Sequence, residues 1–293
     1  MAENNTRKNA SNSEKYAFRR FCALAFLAFG LWYFNNYSLK TTYTSVSSEK
    51  ITQPVRLTIL SDLHAHEGSI SNNRIMKRIK NSEPDAVFVL GDMYSRKASE
   101  NEIDIAVELI TDIAAEGYNT YFVSGDHDTS ASYIASLAAG GVHVMNYISE
   151  YAEINGSRFK IMGIDNVYYT DTFDLNNVFT TDYNCFNILL AHIPNFQKFA
   201  QFGADLTLCA DTHGGMVQLP FGLGTAYDTF SGTWFPEQRT DGDVYDKGMF
   251  NYDGGAMFIT SGIGDSPYPV RLFNRPEIVS LEILPKEATG NEY

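Results

Sequence analysis

The chain has 293 residues, 44% hydrophobic and 19% charged, which is the balance of a folded globular protein and excludes a disordered one. Acids outnumber bases 35 to 22, a formal net charge of −13; residues 1–40 carry six bases (Arg7, Lys8, Lys15, Arg19, Arg20, Lys40) against two acids (Glu3, Glu14), which leaves −17 on the rest. So acidic a body excludes nucleic acid as a partner, because a phosphate backbone demands basic surface, and it admits an anionic substrate only where bound cations reverse the local field.

Residues 1–20 form a basic segment that leads into an unbroken apolar run, Phe21 to Phe34, which Tyr37 and Leu39 extend to residues 21–39, about the length of a membrane span. Three readings compete. A cleaved signal peptide lacks an Ala-x-Ala site between Asn35 and Thr44. A buried core helix has no need of the basic flank. A retained signal anchor suits both features, with the amino terminus cytoplasmic and Trp32 and Tyr33 at the far interface. Arg19-Arg20 supplies the pair of a twin-arginine signal, in flanks that fit it poorly. The expectation is a single-pass cell-membrane protein with its main domain outside the cytoplasm. Residues 40–53 are polar and rich in Ser and Thr, and read as a short linker. Cys22, Cys185 and Cys209 read as small buried hydrophobes, with one disulfide as the alternative.

The main domain spans residues 54–285, followed by a tail, 286–293. Leu57-Thr-Ile-Leu60 reads as a buried strand that ends in Ser-Asp62-Leu-His64. In extended chain i and i+2 share a side, so this carboxylate and this imidazole can grip one ion. Helical spacing follows over Asn72 to Asn81, then a strand, Ala86 to Leu90, that ends in Gly91-Asp92. Ile103 to Ala115 is amphipathic and stops at Gly117; the strand Thr120 to Ser124 ends in Gly125-Asp126-His127-Asp128. This βαβαβ rhythm predicts parallel buried strands whose carboxyl ends share one edge. The second half predicts short strands at Val142 to Tyr147, Ala152 to Ile154 and Phe159 to Ile164, with a hairpin turn at Asn155-Gly156. Phe186 to Ala191 ends at His192, and Asp205 to Ala210 ends at Asp211-Thr-His213; Ala256 to Thr260 and Ile278 to Leu284 close the set. Pro220 to Gly255 reads as a long loop or hairpin over the site. The pattern implies two mixed sheets packed face to face with helices outside.

Five strand ends therefore carry metal-type ligands, and four of the six His residues fall there. The order D-x-H, G-D, G-x-H-D, H and x-x-H resembles the calcineurin-like metallophosphoesterase superfamily, from about Val55 to Glu282. The amino-terminal anchor, the segment Asp205 to Gly215, and Gly262-Ile-Gly264 before Pro269-Val-Arg271 are similar to its membrane-anchored bacterial phosphodiesterase branch, whose members are described as UDP-2,3-diacylglucosamine hydrolase-like. The resemblance implies an α/β fold, a four-layer α/β/β/α sandwich preceded by one transmembrane helix, and a dinuclear metal centre. Asp62, His64 and His213 would hold one cation, Asp92 would bridge, and Asp126, His192 and Asp211 would hold the second. His127 would be the catalytic acid or electrostatic partner. Two divalent ions about 3.5–4 Å apart clamp the attacking and leaving oxygens of an in-line displacement, and a carboxylate bridges them because it has two oxygens.

Two positions depart from the family pattern: Asp126 stands where Asn is usual, and Asp211 where His is usual. Four carboxylates against two dications should favour Mn²⁺ over Zn²⁺, with Mg²⁺ or Fe²⁺ as alternatives, and should weaken attraction for an anionic phosphoester. Arg96 and Arg271 are candidate substrate contacts, surface arginine being the commoner alternative. His66 and His143 match no position of the pattern, and Tyr227, Trp234 and Phe235 are candidate substrate-wall residues. The expected reaction is metal-dependent hydrolysis of a phosphodiester or pyrophosphate bond in a phosphorylated small molecule, lipid or glycopolymer of the envelope. A non-catalytic metal-binding protein of the same fold is the alternative.

Overall fold

The computed structural model describes residues 2–165, 172–228, 233–234, 244–266 and 268–286. Helix α1 (Ala2–Tyr37) is followed by strand β1 (Lys40–Ser48), then β2 (Val55–Leu60), α2 (Asn72–Ser82), β3 (Ala86–Val89), α3 (Glu100–Ala115), β4 (Asn119–Phe122), α4 (Ala131–Ala139) and β5 (His143–Val144). The second half runs β6 (Ile148–Ile154), β7 (Ser157–Ile164), β8 (Phe186–Ala191), α5 (Phe196–Phe202) and β9 (Leu206–Cys209). It continues with β10 (Tyr227–Asp228), β11 (Thr233–Trp234), β12 (Gly248–Tyr252), β13 (Gly255–Ile259) and β14 (Glu277–Pro285).

Two six-stranded mixed sheets result, in the orders β1-β14-β2-β3-β4-β5 and β12-β13-β9-β8-β7-β6, beside a two-stranded β10-β11 ribbon. β2 to β5 are parallel neighbours, as are β7, β8, β9 and β13, so their carboxyl ends lie along common edges. The inner faces meet in one core in which Leu57, Ile59 and Phe88 of the first sheet face the apolar set Phe159, Ile188 and Leu208 of the second. Fully burying each such side chain contributes about 1.5–3 kcal/mol, which is why both sheets read as near-continuous apolar runs. Helices α2, α3 and α4 cover the outer face of the first sheet through Ile75, Ile79, Ile110, Ile113 and Leu137. Helix α5 covers the second through Phe199 and Phe202.

Local chemistry explains the helix ends. Ser99 and Glu102 form a reciprocal capping box at the start of α3. Ser130 caps α4 and Asn195 caps α5, two helices the sequence reading passed over. Residues 40–48, read as a linker, are instead an edge strand. β1 runs parallel to β14 over nine residue pairs, from Lys40 beside Glu277 to Ser48 beside Pro285. Its Thr- and Ser-rich alternation hid it, and its partner lies more than 230 residues away in the chain. The stretch read as a long loop or hairpin over the site holds the antiparallel β10-β11 ribbon, and at its end β12 pairs antiparallel with β13. All three cysteines are free; Cys185 and Cys209 are buried as expected, whereas Cys22, also read as buried, is exposed on α1. Among the described residues α1 is the one helix long and apolar enough to cross a membrane, over Glu14–Tyr37.

Candidate metal centre

The strand-end turns are bent to an unusual degree. Asp62, His64, Asp92, Asp211 and His213 all have positive φ, between 44° and 66°, a region that side chains other than glycine seldom occupy. Non-glycine residues keep such torsions only where surrounding structure over-determines them, and they concentrate at functional sites. The bonds that hold these bends are backbone ones: Asp62 N–H to the Gly91 carbonyl (3.0 Å), His64 N–H to Asp92 (3.1 Å) and Gly264 N–H to Asp62 (2.6 Å). Two glycines admit the carboxylates. A Cβ at Gly125 would strike the Asp92 carboxylate, and one at Gly262, whose φ is +67°, would strike Asp62.

The turns converge. Asp62, His64 and His213 bring ligand atoms within 4.8 Å of one another; so do Asp92, Asp126, His192 and Asp211; and a third set, His64, Asp92 and His127, overlaps both. Asp92 stands between the groups: its Oδ2 is 3.8 Å from His64 Nε2, 3.3 Å from His192 Nε2 and 3.9 Å from His127 Nε2. His192 Nε2 is also 3.6 Å from Asp211 and 3.9 Å from Asp62. All eight sequence candidates at the strand ends thus share one pocket.

The donor set fits divalent cations. Both Asp62 carboxylate oxygens, His64 Nε2, His192 Nε2 and His213 Nδ1 are buried without a hydrogen-bond partner, an arrangement too costly to keep unless something else binds there. His192 Nδ1 donates to the Leu90 carbonyl at 2.5 Å, and His64 Nδ1 meets Ser95 Oγ at 3.2 Å, so each ring turns its free Nε2 inward as a ligand does. Burial presses the His64 imidazole down to about 4. His213 is also held well below its ordinary value, by burial and by the neighbouring His64 and Arg271. Both rings are therefore neutral at physiological pH and ready to coordinate. Burial, with the Asp92 and Asp211 carboxylates close by, pushes the Asp62 carboxyl up to about 8. Burial opposes charge on His192 too, yet Asp92, Asp211 and Asp62 overcome it and hold the ring well above its ordinary value.

His127 lies beside the pair. Its Nδ1 accepts from the Arg96 N–H (2.9 Å), so the neutral ring carries its proton on Nε2, which faces Asp126 Oδ1 at 3.6 Å. Its own N–H donates to Asp92 Oδ1 (2.9 Å). The sequence reading missed Asp128. That residue is buried, and its Oδ2 accepts from the N–H groups of Asp92 (2.6 Å) and Gly125 (3.0 Å), tying the two turns together; burial and Asp92 raise it to about 7. Its place in Gly125-Asp126-His127-Asp128 was the available signal. Asn274, also missed, donates to the His213 carbonyl at 2.7 Å.

Arg271 is a correction. It is 1% exposed, and its guanidinium donates to the carbonyls of Gly264, Ser261 and Asn274, so it supports the loops behind the site and has no donor turned toward a substrate. Arg96 stands at the mouth, largely exposed, paired with Asp126 at 2.9 Å. His66 pairs with Asp265 and His143 with Glu150 outside the centre. Tyr227 and Trp234 pack together on the ribbon; Phe235 lies outside the described residues.

YkuE of Bacillus subtilis, an uncharacterized metallophosphoesterase, is 25% identical over 210 residues, 70% of this chain and 69% of that protein. The phosphodiesterase YaeI of Escherichia coli is 24% identical over 241 residues, 79% of this chain and 83% of that one. The crystal structure of TT1561 from Thermus thermophilus covers 72% of this chain and 91% of its own at 9% identity, with a TM-score of 0.45, too loose an overlap to carry an argument. The profile described as calcineurin-like phosphoesterase matches residues 55–217, more than half of the chain and a span that holds all five ligand-bearing turns. This protein therefore belongs to the calcineurin-like phosphoesterase family.

Proposed function

We propose that the protein is a membrane-anchored phosphoesterase of the UDP-2,3-diacylglucosamine hydrolase-like branch. It hydrolyses a phosphodiester or pyrophosphate bond of an envelope component with two divalent cations, Mn²⁺ by preference. The observation that carries the reading is the pair of ligand sets that meet at Asp92, with buried atoms left unsatisfied on both sides. Asp62, His64 and His213 would hold one cation; Asp126, His192 and Asp211 the other; Asp92 both. Such a pair, when bound, lowers the pKa of water and neutralises charge gathering on a phosphoryl group. His127 then has a defined task. With Nδ1 occupied by the Arg96 N–H, it can donate its Nε2 proton to the leaving oxygen. Asp92 holds the backbone that carries the ring by accepting from the His127 backbone N–H, and Asp128 holds the backbone of Asp92 in the same way. Arg96 at the rim can meet a phosphate oxygen. The anchor supports an envelope substrate by position.

The test is hydrolysis of bis-p-nitrophenyl phosphate with Mn²⁺ by the native protein, Asp92→Asn and His127→Ala. Loss of activity in both variants, with native folding, supports the reading. If all three proteins are inert while Mn²⁺ still raises thermal stability, the centre is a structural staple instead. The Arg96–Asp126 ion pair, which already occupies one oxygen of an expected ligand, favours that second reading.

A further inference from the structure

No slack separates α1 from the domain, since only Ser38 and Leu39 lie between it and β1. The end of α1 is bolted down instead. Asn35 Oδ1 accepts from the Phe273 N–H at 2.8 Å, and Asn36 both accepts from the Arg271 N–H (2.8 Å) and donates to its carbonyl (3.2 Å). Trp32 Nε1 donates to the Pro269 carbonyl at 2.7 Å. Arg271 reaches the Gly264 carbonyl, and the Gly264 N–H reaches Asp62. The helix end is thus a few hydrogen bonds from the centre, while Phe21, Leu24 and Phe26 above it are exposed and touch no protein core.

Two features surround this junction. Arg74, Arg78 and Arg275 converge on the carbonyls of Tyr37, Leu39 and Ser38, and none of the three pairs with an acid among the described residues. Burial and the like charge of Arg78 both press the Arg275 guanidinium below its ordinary value. In a chain of net charge −13, three guanidinium groups without an acidic partner, one of them (Arg275) stacked over the Phe34 ring at 4.5 Å, are a local concentration of positive charge. Next to them is an exposed apolar rim: Phe221 (97% exposed), Leu223, Tyr268 (70%), Val270 and Phe273. Its two loops are stitched together by Gln218 N–H to the Leu272 carbonyl (2.9 Å) and Leu272 N–H to Met216 (3.3 Å).

We propose that this face is a docking surface for an anionic phospholipid bilayer: the three arginines meet lipid phosphates, the rim enters the interface, and the centre is held at the membrane instead of swinging on a tether. Cations beside an exposed aromatic and aliphatic rim match the chemistry of an anionic membrane surface, and the exit point of α1 places that face against it. The inference rests on reading α1 as a span. The test keeps the two apart. The full chain is placed in nanodiscs with and without phosphatidylglycerol, the discs carrying a lipid quencher, and a thiol fluorophore is attached at single sites. Native Cys22 reports on α1; Val270→Cys and Phe221→Cys in a Cys22→Ser background report on the rim. Tyr183→Cys, an exposed position just before the amino end of β8, reports on the far end of the sheet. Loss of fluorescence at Cys22 and at both rim sites, none at Tyr183→Cys, and a smaller rim loss without phosphatidylglycerol is the expected result. Quenching at Cys22 with none at the rim overturns the docking surface and leaves the span intact. An unquenched Cys22 overturns both. Rim quenching that ignores lipid charge overturns the role of the arginines.

Discussion

Replacing Asp62 by Asn should change stability with opposite sign in the absence and the presence of metal. Asp62 is fully buried with both oxygens unpartnered, and its carboxyl is pushed from 3.8 to about 8. At pH 7 the unfolded chain has lost a proton that the cation-free fold retains. At about 1.36 kcal/mol per pH unit, the roughly three units between the unfolded value and pH 7 cost on the order of 4 kcal/mol. Asn removes this penalty and adds an amide with few partners, which returns about 1–3 kcal/mol. The net expectation is a metal-free Asp62→Asn protein more stable by about 1–3 kcal/mol, or about 5 °C in Tm for a domain of this size. With Mn²⁺ the order should reverse, because the native carboxylate gains its cation and Asn is a weaker ligand. Differential scanning calorimetry at pH 7, in EDTA and then in excess Mn²⁺, reads both signs. If Asp62→Asn melts below the native protein in EDTA, or if Mn²⁺ raises both by the same amount, Asp62 is not a frustrated cation ligand and the reasoning fails.

Four further outcomes follow from the same structure. The raised Asp62 value means that the metal-free fold holds a proton the unfolded chain lacks between pH ~4 and 8, so its stability should fall as pH rises through that window. The gain from Mn²⁺ should accordingly be larger at pH 8 than at pH 5, which melting curves across pH will show. Arg271→Leu leaves three buried carbonyls unpaired and should cost about 3–5 kcal/mol, whereas Arg96→Ala, which removes an exposed pair, should cost about 1 kcal/mol or less; urea titration separates them. Gly125→Ala drives a methyl group into the Asp92 carboxylate and should abolish tight metal binding by calorimetry while the far-ultraviolet spectrum stays native. Lys40 N–H donates to the Pro276 carbonyl just before β14, and by the strand's two-residue period Thr44 N–H bonds into β14 itself; Thr44→Pro should therefore lower Tm well below Tyr43→Pro, a difference that a disordered linker would not show.

The residues of the centre were legible because each lies in the polar turn that directly follows a buried apolar strand. Asp62 after Leu57–Leu60, Asp92 after Ala86–Leu90 and His192 after Phe186–Ala191 are read from short local stretches, and parallel strands deliver such ends to one edge. Arg271 misled because its composition, a cation near a glycine-rich turn, is the same whether the guanidinium faces substrate or backbone. Its complete burial is a fact of packing. Asp128 was visible in the motif, yet its bonds join turns 36 residues apart, from Asp92 to Asp128.

What the amino-acid order determined alone was the alternation of apolar strands with helices, the ligand types at the strand ends, the apolar amino-terminal run and the acidic body. Those are properties of neighbours in the chain, set by side-chain period and burial. Only the tertiary structure decided that residues 40–48 complete the first sheet beside the last strand, that Arg271 braces the loops under Asp62, and that the end of α1 is bonded to that brace. Each of these joins residues more than 200 positions apart, or turns a buried charge onto the carbonyls of its own loops, and such arrangements depend on which surfaces meet once the core has closed.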